Sequence, residues 1–208
     1  MSKKIILISG PTASGKSKLA IEVAKKFKGE IINADSMQIY KDFSILSSRP
    51  SSRDLKKIKH HLYGFLSVKK HFSTGAWLVL VKKKINECIK NKKNPILVGG
   101  TGLYFEAVTK GMSKIPNIDF KLRNKIRTLQ IKLGQKKFYQ KLLNLDPLVK
   151  NKIEPFDTQR SIRAYVVKQS TKKSIFEWYK LTKSDFNQFE IFKFFIDTPR
   201  EKLLKNIS

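Results

Sequence analysis

This 208-residue sequence has one cysteine, few acidic residues for its many basic ones, and no long apolar run. Its single cysteine, Cys88, cannot form an internal disulfide, which fits a reducing compartment. No apolar stretch approaches the roughly 18 residues that a membrane-spanning helix needs, and no signal-peptide segment precedes the first motif. We therefore expect a soluble, cytoplasmic protein with no membrane partner, and a hydrophobic content of 40% excludes general disorder.

The scarcity of acidic residues leaves a strong positive charge. Only 16 aspartates and glutamates stand against 44 lysines and arginines, so the formal net charge is +28. An excess of this size predicts a polyanionic partner, RNA or DNA, because neutralising backbone phosphates releases counterions and strengthens binding. The alternative is a lysine-rich composition spread over solvated surfaces, since only seven of the 44 basic residues are arginines.

A glycine-rich segment lies between a predicted strand, 5–8, and a predicted helix that begins at Lys16. Its residues are Gly10, Pro11, Thr12, Ala13, Ser14, Gly15, Lys16 and Ser17. The glycines let successive backbone N–H groups turn toward phosphate oxygens at a helix N-terminus, where Lys16 adds a positive charge. The Ser17 hydroxyl is placed to bind a Mg²⁺ ion on the same phosphates. The pattern favours a diphosphate or triphosphate ligand over a plain glycine-containing turn.

Two further predicted strands end in polar residues. Asp35 follows the strand 30–34, and Thr101 lies in a second glycine-rich turn after the strand 95–98. In open α/β sheets the carboxyl ends of the strands line the ligand crevice, so both side chains are expected to face the phosphate loop. The alternatives are an Asx turn or a helix cap for Asp35 and an ordinary tight turn around Thr101.

The three histidines do not form a metal-binding pattern. The side chains of His60 and His61 diverge because the residues are adjacent, and no cluster of cysteines or carboxylates lies near His71 in the sequence. We expect structural or substrate-contacting histidines and no zinc. Cys88 is expected to pack as a small hydrophobic side chain in a helix that Ser73 caps.

The patterns of apolar and charged residues divide the chain into three parts. Residues 1–114 alternate strands and helices, 115–189 contain helical patterns rich in lysine and aromatic residues, and 190–208 return to a strand and a helix. We predict an α/β fold, a P-loop three-layer parallel sheet with an inserted all-helical subdomain. The helices predicted inside the insertion span 120–133, 135–145, 157–170 and 174–181.

Seven short motifs occur in an order and spacing that are highly specific in combination. They are Gly-Pro-Thr-Ala-Ser-Gly-Lys-Ser (10–17), Asn-Ala-Asp-Ser-Met-Gln-Ile-Tyr (33–40), His-His-Leu (60–62), Phe-Ser (72–73), Val-Gly-Gly-Thr-Gly-Leu-Tyr (98–104), Asp-Thr-Gln-Arg-Ser-Ile-Arg-Ala (157–164) and Pro-Arg-Glu (199–201). Over nearly the whole chain the sequence therefore resembles the tRNA dimethylallyltransferase (tRNA isopentenyltransferase) family, which prenylates the adenosine just 3′ of the anticodon.

The resemblance implies a reaction and a role for each matching residue. A dimethylallyl group would pass from dimethylallyl diphosphate to N6 of that adenosine, with Asp35 as general base and Thr101 at the bridging oxygen of the donor. The loop 10–17 would bind the diphosphate, with Mg²⁺ near Ser17, and we expect a monomer. The implied contacts to the anticodon stem-loop of tRNA, several of them in the helical insertion, are Asp35, Ser36, Met37, Gln38, Thr101, Arg123, Gln159, Arg160, Ser161, Ile162 and Arg163.

Two features depart from the usual pattern of that family. Leu46 stands where a glycine is usual, and the family usually continues well beyond the helix that begins at Arg200. We therefore expect a short form that lacks the usual C-terminal part. Three alternatives stay open: a P-loop small-molecule kinase that binds ATP, a prenyltransferase for free adenine nucleotide, and an inactive RNA-binding fragment.

Overall fold

A computed structural model describes residues 3–207 and divides the chain into two compact units. The first unit combines the chain up to Gly111 with the chain from Ser184 onward, and the second unit is Met112–Lys183. The insertion predicted at 115–189 begins and ends a few residues later than this second unit. The first unit is therefore discontinuous in sequence, because a helical segment is inserted between two of its strands.

The first unit is built on a parallel sheet. Its strands are β1 (Lys4–Ser9), β2 (Gly29–Asn33), β3 (His60–His61), β4 (Asn94–Gly99) and β5 (Glu190–Phe195). Their spatial order is β3-β2-β4-β1-β5, and every pairing among the described strands is parallel. This arrangement confirms the predicted α/β class. Strand β3 was not predicted, since two adjacent histidines show no period that could mark a strand.

Eight α-helices occur among the described residues. They are α1 (Lys16–Lys26), α2 (Ser52–Lys57), α3 (Thr74–Lys90), α4 (Gly102–Thr109), α5 (Phe120–Leu145), α6 (Thr158–Thr171), α7 (Ile175–Lys180) and α8 (Arg200–Ile207). The side chain of Ser73 caps α3 as predicted, by accepting a hydrogen bond from the backbone N–H of Ala76 at 3.1 Å. None of these helices is long and apolar enough to cross a membrane.

Alternating side chains of the strands fill two apolar layers. Ile6 and Ile8 of β1 pack with α1 on one face of the sheet, while Ile5 and Leu7 pack on the other face with Trp77 of α3. Both sets are buried, as a strand covered on both faces requires. Helices on both faces thus stabilise the sheet in which the carboxyl ends of β1, β2 and β4 lie side by side.

The second unit packs its helices around a core of its own. The largest fully buried side chain in this core is Phe138 of α5, and it packs with Leu142 of the same helix and Val167 of α6. Helix α5 is kinked at Gly134, whose backbone has φ 70° and ψ 161°. The sequence predicts separate helices on either side of this glycine, and the structure confirms the break.

Candidate active site

Three loops meet at the carboxyl edge of the sheet. They follow β1, β2 and β4, and the register pairs Ser9 with Gly99 and Asn33 with Val98. A Cβ atom built on Gly99 would lie 2.1 Å from the backbone carbonyl group of Ala34, so only glycine allows this approach. The close contact brings the loop after β4 directly against the loop after β2.

The loop after β1 has the strand-loop-helix context that a phosphate-binding loop requires. Gly15 is the N-cap residue of α1 in a left-handed conformation with φ 86°. The ammonium group of Lys16 donates to the carbonyl of Pro11, and burial lowers the pKa of Lys16 while the charge of Asp35 opposes that shift. The hydroxyl of Ser14 is buried without a hydrogen-bond partner among the described residues, and Ser17 is exposed. This loop therefore offers a buried hydroxyl and a cation for an anionic ligand.

Asp35 is held at this edge by the side chain of Asn33. The Asn33 carbonyl oxygen accepts from the Asp35 backbone N–H at 2.9 Å, and its amide group donates to the carbonyls of Asp35 at 2.9 Å and Leu62 at 3.0 Å. One carboxylate oxygen of Asp35 accepts from the backbone N–H of Met37 at 2.9 Å, which is the Asx turn of the alternative interpretation. The other oxygen lies beside Gly100. Asp35 thus closes a turn and faces the neighbouring loop.

Thr101 is tied to the residue that follows Asp35. Its hydroxyl oxygen accepts from the backbone N–H of Ser36 at 2.9 Å and donates to the Ser36 hydroxyl at 3.2 Å. The backbone N–H of Thr101 donates to the carbonyl of Ala34 at 3.3 Å. The structure therefore brings Thr101 and Asp35 to the same edge of the sheet, as the sequence analysis expects.

The side chain of Gln38 binds the backbone of the loop that contains Ser47 and Ser48. Its amide group donates to the carbonyls of Ser47 at 2.8 Å and Ser48 at 3.2 Å. Leu46, which stands where the resembling family usually has glycine, is 85% exposed and is not among the residues with positive φ. Leucine is therefore compatible with the backbone of this loop.

Two stacked aromatic side chains are buried next to the backbone of Asn33, and no role was predicted for them from the sequence. The Trp77 indole N–H donates to the carbonyl of Asn33 at 3.0 Å, and its ring stacks on Tyr104 at 4.0 Å between centroids. Burial is the main cause that raises the pKa of Tyr104 to about 12, with contributions from Tyr40 and Asp35. Tyr104 therefore remains a neutral phenol close to the Asp35 carboxylate.

The second unit contains an arginine-rich pocket between α5 and α6. Its volume is about 190 Å³, and none of the described residues that line it is acidic. The Nε atom of Arg123 is buried without a hydrogen-bond partner among the described residues. Partial burial and the charge of Arg123 lower the pKa of Arg163. These features fit an anionic ligand. The lining residues are Arg123, Arg127, Gln159, Ile162, Arg163 and Val166.

The structure separates the residues 159–163, which the resemblance assigns together to tRNA. Gln159, Ile162 and Arg163 line the pocket, whereas Arg160 is exposed and pairs with Asp157 at 3.0 Å. Ser161 is fully buried, and its hydroxyl lies 3.3 Å from the amide of Gln135. Its side chain therefore points into the helical core rather than toward a surface, because it occupies the inner face of α6. Arg127, one turn after Arg123 on α5, was not singled out from the sequence.

Comparison with known proteins finds one family throughout. A family model described as IPP transferase matches residues 38–208. A tRNA dimethylallyltransferase of Pelagibacter ubique is 58% identical over 205 residues, which cover 99% of this chain and 66% of the relative. A tRNA dimethylallyltransferase of Rickettsia massiliae is 46% identical, over 97% of this chain and 56% of the relative. The chain thus spans less than two thirds of the length of these relatives.

Solved structures agree with the sequence matches. A eukaryotic dimethylallyltransferase, described as acting on tRNA, matches 99% of this chain and 51% of its own, with a TM-score of 0.84 and 27% identity. A full-length tRNA isopentenylpyrophosphate transferase from Bacillus halodurans matches 99% of this chain and 63% of its own, with a TM-score of 0.61 and 27% identity.

Proposed function

The chain belongs to the IPP transferase family, and from that premise we propose that it transfers a dimethylallyl group from dimethylallyl diphosphate to tRNA. The acceptor is N6 of the adenosine just 3′ of the anticodon. One observation carries the proposal: the phosphate loop, Asp35 and Thr101 meet at one edge of the sheet. We further propose that the protein acts as a monomer, since all three come from one chain, and that it acts in the cytoplasm on tRNA.

The loop 10–17 is proposed to bind the diphosphate of the donor. Its backbone N–H groups, the Lys16 ammonium and the unpartnered hydroxyl of Ser14 would stabilise the negative charge that develops as diphosphate leaves. The exposed Ser17 hydroxyl at the start of α1 fits a Mg²⁺ ion, which usually keeps several waters and binds phosphate oxygens. Ser17 would hold this ion, which would offset part of the negative charge of the leaving diphosphate. The same loop would accept the phosphates of ATP.

Asp35 and Thr101 are proposed to act on the acceptor and on the bridging oxygen. The exocyclic nitrogen of adenosine attacks the allylic carbon of the donor, and the bond from that carbon to the bridging oxygen breaks. The nitrogen loses a proton, which the Asp35 carboxylate accepts. The Thr101 hydroxyl can turn from Ser36 toward the bridging oxygen as its charge grows.

The arginine pocket of the second unit is proposed to bind the RNA backbone. Arg123, Arg127 and Arg163 hold three positive charges around one small cavity, and none of its described lining residues is acidic. A phosphate oxygen would satisfy the buried Nε of Arg123 and relieve the repulsion between the guanidinium groups. The target adenine must leave its stack to reach a site at the sheet edge, and backbone contacts help to hold the distorted loop.

Labelled dimethylallyl diphosphate tests the proposal when the protein is incubated with Mg²⁺ and either tRNA or AMP. We expect label on tRNA alone, and no label with Asp35→Asn. Asp185→Asn is the matched control, because Asp185 forms an exposed ion pair with Lys82 at 3.0 Å. Label on AMP would indicate a free-nucleotide prenyltransferase, and phosphate transfer from ATP would indicate a kinase. RNA binding without transfer would leave the RNA-binding fragment as the interpretation.

A further inference from the structure

Three side chains able to bind a metal converge where β2 and β3 pack against α3. Glu30 lies near the start of β2, His61 in β3 and Cys88 near the end of α3. Their relative exposures are 7%, 7% and 0%. One ligand atom from each lies within 4.8 Å of the other two. The sequence gave no sign of this cluster because its members are far apart along the chain.

The cluster contains a carboxylate that is largely removed from solvent. The side chain of Glu30 is 10% exposed, and one of its oxygens lies 2.6 Å from His61 Nε2 and 3.7 Å from Cys88 Sγ. The ammonium group of Lys59 is the nearest fixed positive charge, at 3.8 Å, but its side chain is 62% exposed. Burying a charged carboxylate costs free energy unless the charge is well paired. Lys59 is exposed and approaches Glu30 from the solvent side only.

We propose that Glu30, His61 and Cys88 form a site for a divalent metal ion of the zinc type. The site would supply one nitrogen, one thiolate sulfur and one carboxylate oxygen, a donor set that suits Zn²⁺ and not Mg²⁺ or Ca²⁺. A divalent cation with one thiolate and one carboxylate is electrically neutral, so its burial costs less than burial of the carboxylate alone. Water on the Lys59 side supplies the fourth ligand.

The geometry requires only a side-chain adjustment. Bond lengths to zinc are about 2.3 Å from sulfur and about 2.0–2.2 Å from nitrogen and oxygen, so two ligand atoms of one ion lie less than about 4.5 Å apart. The three ligand atoms already lie within 4.8 Å of one another, so small side-chain movements bring them to one ion. The hydrogen bond between His61 and Glu30 gives way to two metal bonds. Burial raises the pKa of Cys88 to about 12, so the metal-free cluster holds a neutral thiol, and its proton is released to solvent when the ion binds.

The metal would fasten three elements together. Strand β3 is only two residues long and lies at the edge of the sheet, where β2 is its one partner among the described strands. A bond from His61 to an ion that Glu30 and Cys88 also hold would link β3 to β2 and α3. The role is structural, and the three ligands are residues to which the proposed prenyl transfer assigns no part.

Cobalt substitution tests the site directly. The protein is stripped with a chelator and titrated with Co²⁺ while the thiolate-to-cobalt charge-transfer absorption is recorded. Cys88 is the only cysteine, so this band identifies it without any variant. We expect the band to saturate at about one ion per chain and to disappear when Zn²⁺ is added. Glu30→Gln and His61→Gln should weaken Co²⁺ binding about tenfold or more.

Two controls make the outcome decisive. Cys88→Ser should lose the band and the rise in unfolding temperature that Zn²⁺ gives the wild-type protein, whereas the exposed His71→Ala should keep both. Circular dichroism of the metal-free variants checks that they fold. Absence of the band in the wild-type protein would overturn the proposal, and so would a Zn²⁺-induced rise in unfolding temperature that is equal in wild type and Cys88→Ser. Either result would leave Glu30 and His61 as a hydrogen-bonded pair only.

Discussion

At the scale of single residues, the position of Asp35 depends on Asn33. Asn33 is fully buried and uses its side chain for three hydrogen bonds, two of them to the backbone of Asp35. Its own carbonyl accepts the indole N–H of Trp77. These hydrogen bonds fix the side chain of Asn33, which in turn fixes the backbone of Asp35. The Asp35 carboxylate therefore extends from a backbone with a defined position. Asn33 is thus a positioning residue for the proposed general base.

Replacing Asn33 with alanine should separate positioning from donor binding. We expect kcat for prenyl transfer to fall by about 10²-fold, because a displacement of about 1 Å at a reacting group costs that much. The KM for dimethylallyl diphosphate should change little, since the phosphate loop is untouched. Steady-state kinetics with tRNA as acceptor measure both quantities.

The control for this variant lies at the other end of the sheet. The side chain of Asn94 donates to the carbonyl of Phe27 at 2.6 Å. Asn94→Ala also removes a bond from a side chain to the backbone, so it should lower stability without lowering kcat. An unchanged kcat in Asn33→Ala, or a raised KM as its only defect, would contradict the positioning role of Asn33.

At the scale of elements, local patterns predicted most of the fold, and long-range contacts account for what they missed. The apolar run 5–8, the cap at Ser73 and the break at Gly134 all have local causes, and each appears as predicted. Strand β3 forms through its pairing with β2, a contact between residues that are far apart in the sequence. The pocket position of Arg127 depends on how α5 packs against α6, which no local pattern reveals.

The kink in α5 gives a prediction about stability. Gly134 has φ 70° and ψ 161°, a combination that costs other residues roughly 1–3 kcal/mol, although a Cβ there would meet no atom within 4 Å. Gly134→Ala should therefore lower the free energy of unfolding through backbone strain alone. Urea denaturation, followed by circular dichroism, measures the change.

Gly75→Ala is the matched variant. Gly75 lies in the first turn of α3 without positive φ, and a Cβ there would meet only the Ser73 hydroxyl oxygen, at 3.8 Å. The same added methyl group should leave stability unchanged or raise it by roughly 0.5–1 kcal/mol, because alanine is the better helix former. Equal effects of the two substitutions would show that the kink does not require glycine.

At the scale of the whole molecule, the net charge of +28 supports a polyanionic substrate. Composition alone could not separate a binding surface from solvated lysines. The structure adds a site where several arginines share one cavity, and the family match adds relatives named for tRNA modification. Charge, pocket and family thus favour the same class of partner.

Salt dependence of tRNA binding measures how much of this charge contacts RNA. We expect log Kd to rise steeply and linearly with log salt concentration, and Arg127→Ala to reduce the slope by about 1. Arg127→Lys should keep the slope, because it keeps the charge, while it weakens binding through loss of the planar fork. A flat salt response in the wild-type protein, or the same slope for wild type and Arg127→Ala, would argue against the pocket as a phosphate site.

The most direct test of the central proposal measures donor binding and prenyl transfer in the same Asp35→Asn protein. The phosphate loop is proposed to bind the donor and Asp35 to accept the proton, so binding and transfer should respond differently. We expect the Kd for dimethylallyl diphosphate to change by less than about threefold, while single-turnover transfer to tRNA slows by about 10²–10⁴-fold. Transfer at the wild-type rate would contradict the role of Asp35, and a loss of donor binding that accounts for the whole defect would contradict the division of roles.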